Sequence, residues 1–322
     1  MLLDSVLLIV GLAVLYFGAE SMVKGASQLA LALGISPLIV GLTVVAFGTS
    51  APEFLVSLIA VMDGADGISV GNIVGSNVCN LALILGTAAI IAPLPIAASS
   101  LRVEYPFMFA AAVALFAVCW DGSIHPLEGG VLCIGIVAFV GWQVRGAWRS
   151  HRSHRESTSD DVPEPDEKST TARNLAYLGF GLVGLAAGAH LMVTSSSSIA
   201  REFGVSDFII GTTIVAFGTS MPELATSVVA AVRRQSDISV GNVFGSNIFN
   251  SFFVMGVIPA IFGMEVEPRA IQIDLPAMLA VTVIAFPLMR SRYRLTRVEG
   301  GVLLGIYAAY MATMFVWPNG LG

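Results

Sequence analysis

A stretch of 46 residues occurs twice in this chain, 170 positions apart, and each copy sets a glutamate directly after a proline inside a long apolar segment. Residues 41–86 read GLTVVAFGTSAPEFLVSLIAVMDGADGISVGNIVGSNVCNLALILG, and residues 211–256 read GTTIVAFGTSMPELATSVVAAVRRQSDISVGNVFGSNIFNSFFVMG. They align without a gap. Of the 46 positions, 22 are identical, mainly in two blocks, AFGTSxPE and ISVGNxxGSNxxN, so Glu53 corresponds to Glu223 and Asn80 to Asn250. Such a chain has to fold as two related halves. A charged group at the centre of a bilayer costs about 3 kcal/mol or more, so a duplicated glutamate there marks an ion path rather than packing.

The membrane reading follows from composition. With 56% hydrophobic residues, 12% charged residues and a mean hydropathy of +0.83, the chain is too apolar for a soluble protein of 322 residues. A net charge of −6 gives no sign of nucleic-acid binding. Asp4 stands where a secretory signal would carry lysine or arginine, so the first apolar segment is expected to be a retained helix. Cys79, Cys119 and Cys133 all lie in apolar segments and read as small packing residues.

Apolar stretches long enough for a hydrocarbon core of about 30 Å fall near 3–33, 36–62, 67–91, 103–120 and 127–147, then near 174–203, 206–232, 237–262, 271–289 and 298–317. The fold expected is therefore an all-α integral membrane protein of about ten transmembrane helices in two five-helix repeats. Residues 1–148 form the first, residues 149–172 a polar, proline-containing cytoplasmic linker, and residues 173–322 the second. An odd number of helices per half inverts one repeat relative to the other, a plan common among secondary transporters. Assigning loops alternately collects Arg102, Arg145, Arg149, Arg233, Arg234, Arg290, Arg292, Arg294 and Arg297 on the linker side, against Arg201 and Arg269 on the other. The excess of basic residues inside places both termini outside a plasma (inner) membrane.

Pro52 and Pro222, aided by Gly48 and Gly218, are expected to interrupt the second and seventh helices. Interruption frees backbone carbonyls, tolerated at membrane depth only where they are buried in protein or line a polar cavity. Ala46, Thr49, Ala216 and Thr219 are the expected carbonyl donors. Thr49 and Glu53, Ser76 and Asn80, Thr219 and Glu223, and Ser246 and Asn250 are each four residues apart, so each pair shares a face if the helix is regular. The product is an all-oxygen cage of two carboxylates, two carboxamides, hydroxyls and carbonyls, which suits hard cations such as calcium or sodium. Glycines in VGNIVGSN and VGNVFGSN would let the third and eighth helices approach the broken ones closely. Glu20 and His190 occupy equivalent but chemically unmatched positions and read as structural or interfacial.

The blocks GTSAPE, GTSMPE, GNIVGSNVCN and GNVFGSNIFN resemble the alpha repeats of the cation/calcium antiporter superfamily, the sodium/calcium exchangers of the prokaryotic type. The resemblance implies an alternating-access antiporter whose second, third, seventh and eighth helices form the site while the first and sixth slide as a gate. It implies calcium at Glu53, Glu223 and the carbonyls of Thr49 and Thr219. Sodium or proton sites would be lined by Ala46, Ser50, Ser76, Asn80, Ala216, Ser220, Ser246 and Asn250, with Thr49 and Thr219 shared. Members of this type commonly carry aspartate where this chain has Asn250, whereas proton-coupled members tolerate asparagine, so sodium or protons can be the coupling ion. The partners expected are calcium, monovalent cations and the lipid bilayer, with no cofactor, nucleic acid or obligate protein partner. The alternatives are a proton-coupled or other divalent-cation exchanger and, less favoured, a cation channel. No serine–base arrangement, phosphate-binding loop or nucleotide motif supports an enzyme.

Overall fold

The computed structural model describes residues 2–156, 171–203 and 216–317. Among the described residues, ten helical segments run in chain order. They are α1 (Leu2–Leu33), α2 (Pro37–Met62), α3 (Asp66–Ile91), α4 (Ala98–Val118), α5 (Pro126–Glu156), α6 (Thr171–Glu202), α7 in two pieces (Ala216–Thr219 and Met221–Val232), α8 (Ser236–Phe262), α9 (Ala270–Arg290) and α10 (Arg297–Val316). Among the described residues, eight helices are at least 18 residues long and apolar enough to cross a membrane. In hydrocarbon every backbone polar group must be satisfied within the protein, so segments this apolar fold as helices.

Sequence punctuation explains the ends. Ser36 accepts from the Ile39 amide and Pro37 opens α2 at a position where no amide is needed. Gly64, with φ of 73°, turns the chain after α2, and Arg234, with φ of 60°, makes the equivalent turn in the second repeat. The helix α5 runs past the expected end near 147 to Glu156, because no glycine or proline interrupts residues 147–162. The first part of the expected linker, residues 149–156, is thus helical, and residues 157–170 lie outside the described residues.

Two short antiparallel ribbons stitch the repeats together. β1 (Leu94–Pro95), after α3, pairs with β4 (Arg294–Leu295), after α9, and β2 (Ser123–Ile124), after α4, pairs with β3 (Met264–Glu265), after α8. Each ribbon joins a loop of one repeat to a loop of the other. Alternate crossing puts both partners of each ribbon on the same side of the membrane, as the two repeats require if they are inverted.

The centre belongs to α3 and α8, whose most apolar windows are 78% buried, against 22% for α1 and 28% for α6. The latter pair pack on each other through a glycine seam. A Cβ at Gly18 would lie 2.7 Å from the Leu185 amide nitrogen, and one at Gly188 would lie 2.6 Å from the Leu15 amide nitrogen. Glu20 of α1 ion-pairs with Arg233 at the end of α7, which agrees with an interfacial role, and His190 is exposed.

Candidate functional site

In α2 the helix breaks at Ser50, with φ of −83° and ψ of 2°, and in α7 at Ser220, with φ of −86° and ψ of 5°. Both breaks sit two residues ahead of the prolines, which cannot supply the amide that the carbonyl four residues earlier would use. Each break restarts a helix whose first turn carries the glutamate, Glu53 or Glu223. Both carboxylates are 1% exposed.

The hydrogen bonds cross between repeats in a matched pattern. Ser220 donates to Oε1 of Glu53 at 3.3 Å, and Ser50 donates to Oε1 of Glu223 at 3.3 Å. Because the single hydroxyl hydrogen of Ser220 serves Glu53, the 3.1 Å contact between the Ser76 and Ser220 hydroxyls makes Ser76 the donor there. Ser246, the counterpart of Ser76, is buried, and its hydroxyl meets no hydrogen-bond geometry among the described residues.

Behind the carboxylates stand two asparagines that the reading of the sequence passed over. Asn72 donates to the Glu53 carbonyl at 3.2 Å and to Ser57 at 3.0 Å, and its Oδ1 accepts from Thr219 at 3.4 Å. Asn242 donates to the Glu223 carbonyl at 3.4 Å and to Ser227 at 3.1 Å, and its Oδ1 accepts from Thr49 at 3.0 Å. Each amide therefore ties the glutamate of its own repeat to the threonine of the other. The signal was present, since Asn72, Ser76 and Asn80 are spaced by four and so are Asn242, Ser246 and Asn250.

The expected face of Ser76 with Asn80 does not persist as a regular α-helix. Wide π-type turns run from Cys79 to Ile84 and from Phe249 to Val254, each carrying the site asparagine in its first two residues. Such turns insert an extra residue per turn and recur at functional sites. Here Asn80 donates to Asn247 Oδ1 at 2.9 Å, and Asn250 donates to Asn77 Oδ1 at 3.2 Å. The carbonyl of Ala46, an expected ligand, already accepts from the Ser50 amide at 3.0 Å, and the Thr49 hydroxyl 3.4 Å away has its single hydrogen on Asn242. Ala216 is the first described residue of the first piece of α7, and Thr219, 8% exposed, closes that piece.

With their nitrogens engaged, the carboxamides present oxygens. Oδ1 of Asn80, Oδ1 of Asn250, Oε2 of Glu53 and Oε2 of Glu223 are all buried without a hydrogen-bond partner among the described residues. Among the described residues no group of three or more histidine, cysteine, aspartate or glutamate side chains gathers for a metal ion. A cation here must therefore share two carboxylates with neutral oxygens, as sodium and calcium do.

Glycines bring the backbones of α8 and α2 together beside this cage. A Cβ at Gly245 of α8 would lie 2.6 Å from the Ala46 Cβ, and one at Gly241 would lie 2.8 Å from the Leu38 carbonyl, so α8 rests directly on α2. Gly71 and Gly75 of α3 have no such close neighbour among the described residues, which leave out numbers 208 and 212, the matches of Leu38 and Leu42 in the second repeat. Ser50 also borders a small cleft of about 100 Å³ walled by Phe47, Phe54, Phe249 and Phe253. The matching positions of the other repeat hold Phe217, Leu224, Cys79 and Leu83, so the repeats differ beside the site.

Comparison with known proteins supplies the context for this geometry. The family model described as sodium/calcium exchanger protein matches residues 4–145 and 173–316. The putative antiporter CaxA of Alkalimonas amylolytica is 35% identical over 98% of this chain and 99% of its own length. The sodium/calcium exchanger MaX1 of Methanosarcina acetivorans is 30% identical over 96% of this chain and 97% of its own, and the inner membrane protein YrbG of Escherichia coli K12 is 34% identical over 98% of both. The solved structure of the sodium-calcium exchanger NCX_Mj, soaked with 10 mM Na+ and zero Ca2+, superposes with a TM-score of 0.83 at 30% identity, covering 97% of this chain and 99% of that one.

Proposed function

Since the chain belongs to the sodium/calcium exchanger family, we propose that it exchanges calcium for sodium across the membrane by alternating access, through the cage around Glu53 and Glu223. The observation that carries this reading is the set of four buried oxygens without hydrogen-bond partners, on Glu53, Glu223, Asn80 and Asn250. Calcium takes Glu53, Glu223 and the carbonyls of Thr49 and Thr219. Sodium uses Ser50, Ser76, Asn80 and the Ala46 carbonyl in one repeat and Ser220, Ser246, Asn250 and the Ala216 carbonyl in the other.

Coupling follows from charge. Two like charges buried side by side repel by several kcal/mol and lose their hydration, so the empty, fully ionised cage is a poor state to move. One calcium ion neutralises the pair, as do two monovalent cations. The loaded forms are then the ones that switch between outward and inward access. Asn250 keeps proton coupling open as a second reading, because it leaves the site with two formal carboxylates. The arginine-rich side faces the cytoplasm and the termini face outward.

The test is uptake of radiolabelled calcium into liposomes of the purified protein, with opposing sodium, potassium or proton gradients imposed one at a time. Saturable uptake driven by sodium is the expected result, and Glu53→Gln and Glu223→Gln should each abolish it while the folded protein is retained. Near-normal uptake in either variant would remove that carboxylate from the mechanism, and conductance at channel rates would replace exchange by a pore.

A further inference from the structure

Far from the cage, an open groove of about 360 Å³ lies between α4 and α5, lined by Arg102, Val103, Pro106, Phe107, Ala110 and Trp142. On α4 these residues repeat at three and four positions, forming one stripe along the helix. From Arg102 to Ala110 is eight residues, or about 12 Å at 1.5 Å per residue, most of the depth of one leaflet of about 15 Å. The small side chain of Ala110 deepens its far end. Trp142, 54% exposed, forms the wall on α5 and stands 6.2 Å from Phe107, ring centre to ring centre. Phe107 in turn packs on the buried Phe139, so the wall is anchored in the core.

The charges sit at one end. Arg102 is exposed at the mouth, and Arg145, one turn beyond Trp142 on α5, is exposed beside the same end of the bundle. No carboxylate lines the groove, and Glu104, the nearest in sequence, is buried. This end is also where Arg290, Arg292, Arg294 and Arg297 lie, since β4 pairs there with β1. The repeat does not reproduce the feature: with EGGVL of residues 128–132 matched to the same run at 299–303, Gln272 and Thr313 occupy the positions of Arg102 and Trp142. Basic pockets between transmembrane helices on the cytoplasmic side suit anionic headgroups, and tryptophan favours the interface.

We propose that this groove binds an anionic phospholipid of the arginine-rich leaflet, with the phosphate held at Arg102 and Arg145 and one acyl chain laid along Pro106, Phe107 and Ala110 against Trp142. Phosphatidylglycerol is the test probe and phosphatidylcholine the reference, each titrated onto the full-length protein in detergent with bound lipid counted by native mass spectrometry. Wild type should retain phosphatidylglycerol in preference to phosphatidylcholine. Replacing Arg102 and Arg145 by glutamine should weaken that retention about fivefold per arginine, while replacing both by lysine should preserve it. Ala110→Phe, which fills the groove and keeps both arginines, should also expel the lipid, and it decides the matter should the glutamine pair fail to fold. Equal retention of the two lipids by wild type, undiminished phosphatidylglycerol on the Ala110→Phe variant, or displacement of the lipid by inorganic phosphate alone would each overturn the proposal.

Discussion

Replacing Asn242 by leucine isolates what the buried amide contributes, because leucine keeps a similar volume and removes only polarity. Three hydrogen bonds disappear: from Thr49 at 3.0 Å, to Ser227 at 3.1 Å and to the Glu223 carbonyl at 3.4 Å. In water-soluble proteins each buried group left unpaired costs about 1–3 kcal/mol. Within membranes the average interhelical bond contributes only about 0.6 kcal/mol, since unfolded helices in lipid also find partners. Three such bonds give a loss of about 2 kcal/mol in unfolding free energy, and Asn72→Leu should match it because its three bonds are the symmetric ones. The functional loss should be larger. Thr49 and the Glu223 backbone would no longer be held across the repeats, and calcium affinity should fall by at least about tenfold, which is about 1.4 kcal/mol. Denaturant unfolding in mixed micelles and calcium titration of the same preparations read the two quantities separately. A folded Asn242→Leu protein with unchanged calcium affinity would refute the claim that this amide positions the cage.

Three further outcomes follow from the fold. A leucine at Gly18 puts its Cβ 2.7 Å from the Leu185 backbone, so α1 and α6 must separate; about 1–3 kcal/mol of stability and most transport should be lost, whereas Gly179→Leu, with open space around it, should be tolerated in both thermal unfolding and uptake. Arg234 holds a left-handed φ of 60° where the first repeat has Gly64, so Arg234→Gly should raise stability by up to about 1 kcal/mol while Gly64→Ala lowers it by about as much, and opposite shifts in unfolding temperature are the check. Membrane-impermeant thiol probes should label a cysteine at position 292 only from the cytoplasmic side and one at position 123 only from outside; labelling of both from one side would contradict the alternate crossing of the helices.

What was legible in the sequence was whatever the duplication repeats. Two copies of GTSxPE announce the breaks in α2 and α7 and both glutamates, because proline acts on its own backbone and needs no tertiary partner. Helix number was equally local, set by apolar length. The roles of Asn72 and Asn242 were not legible, although both stand in a repeated block, because an asparagine gains its role from the helix opposite, 193 residues away in the bond between Thr49 and Asn242. The π-type turns at Asn80 and Asn250 escaped for a similar reason: spacing by four assumes a regular helix, and nothing in CNLALI or FNSFFV signals a wider turn. The groove beside Trp142 needed α4 and α5 set side by side before its charges and aromatic wall made one surface.

The crossing of hydrogen bonds between repeats bears on how one site serves two ions in turn. Glu53 belongs to the first repeat, yet its Oε1 is held by Ser220 of the second, and Glu223 is held by Ser50 in the reverse sense. Asn72 and Asn242 repeat the exchange one layer deeper, binding Thr219 and Thr49 respectively. Neither carboxylate therefore has an environment of its own repeat alone. Any displacement of one half against the other changes both carboxylates together, so the bundle cannot rearrange around Glu53 while leaving Glu223 as it was. A cation that bridges the two repeats replaces part of this shared bonding with its own, and binding is then coupled to the relative position of the halves. The mismatches fall just outside this layer, where Ser76 reaches Ser220 while Ser246 makes no such bond among the described residues, and where four phenylalanines wall the side of Ser50. In the proposed exchange, symmetry in the ligands would let the same oxygens face either side of the membrane, and asymmetry in the surrounding wall would let the two access routes differ.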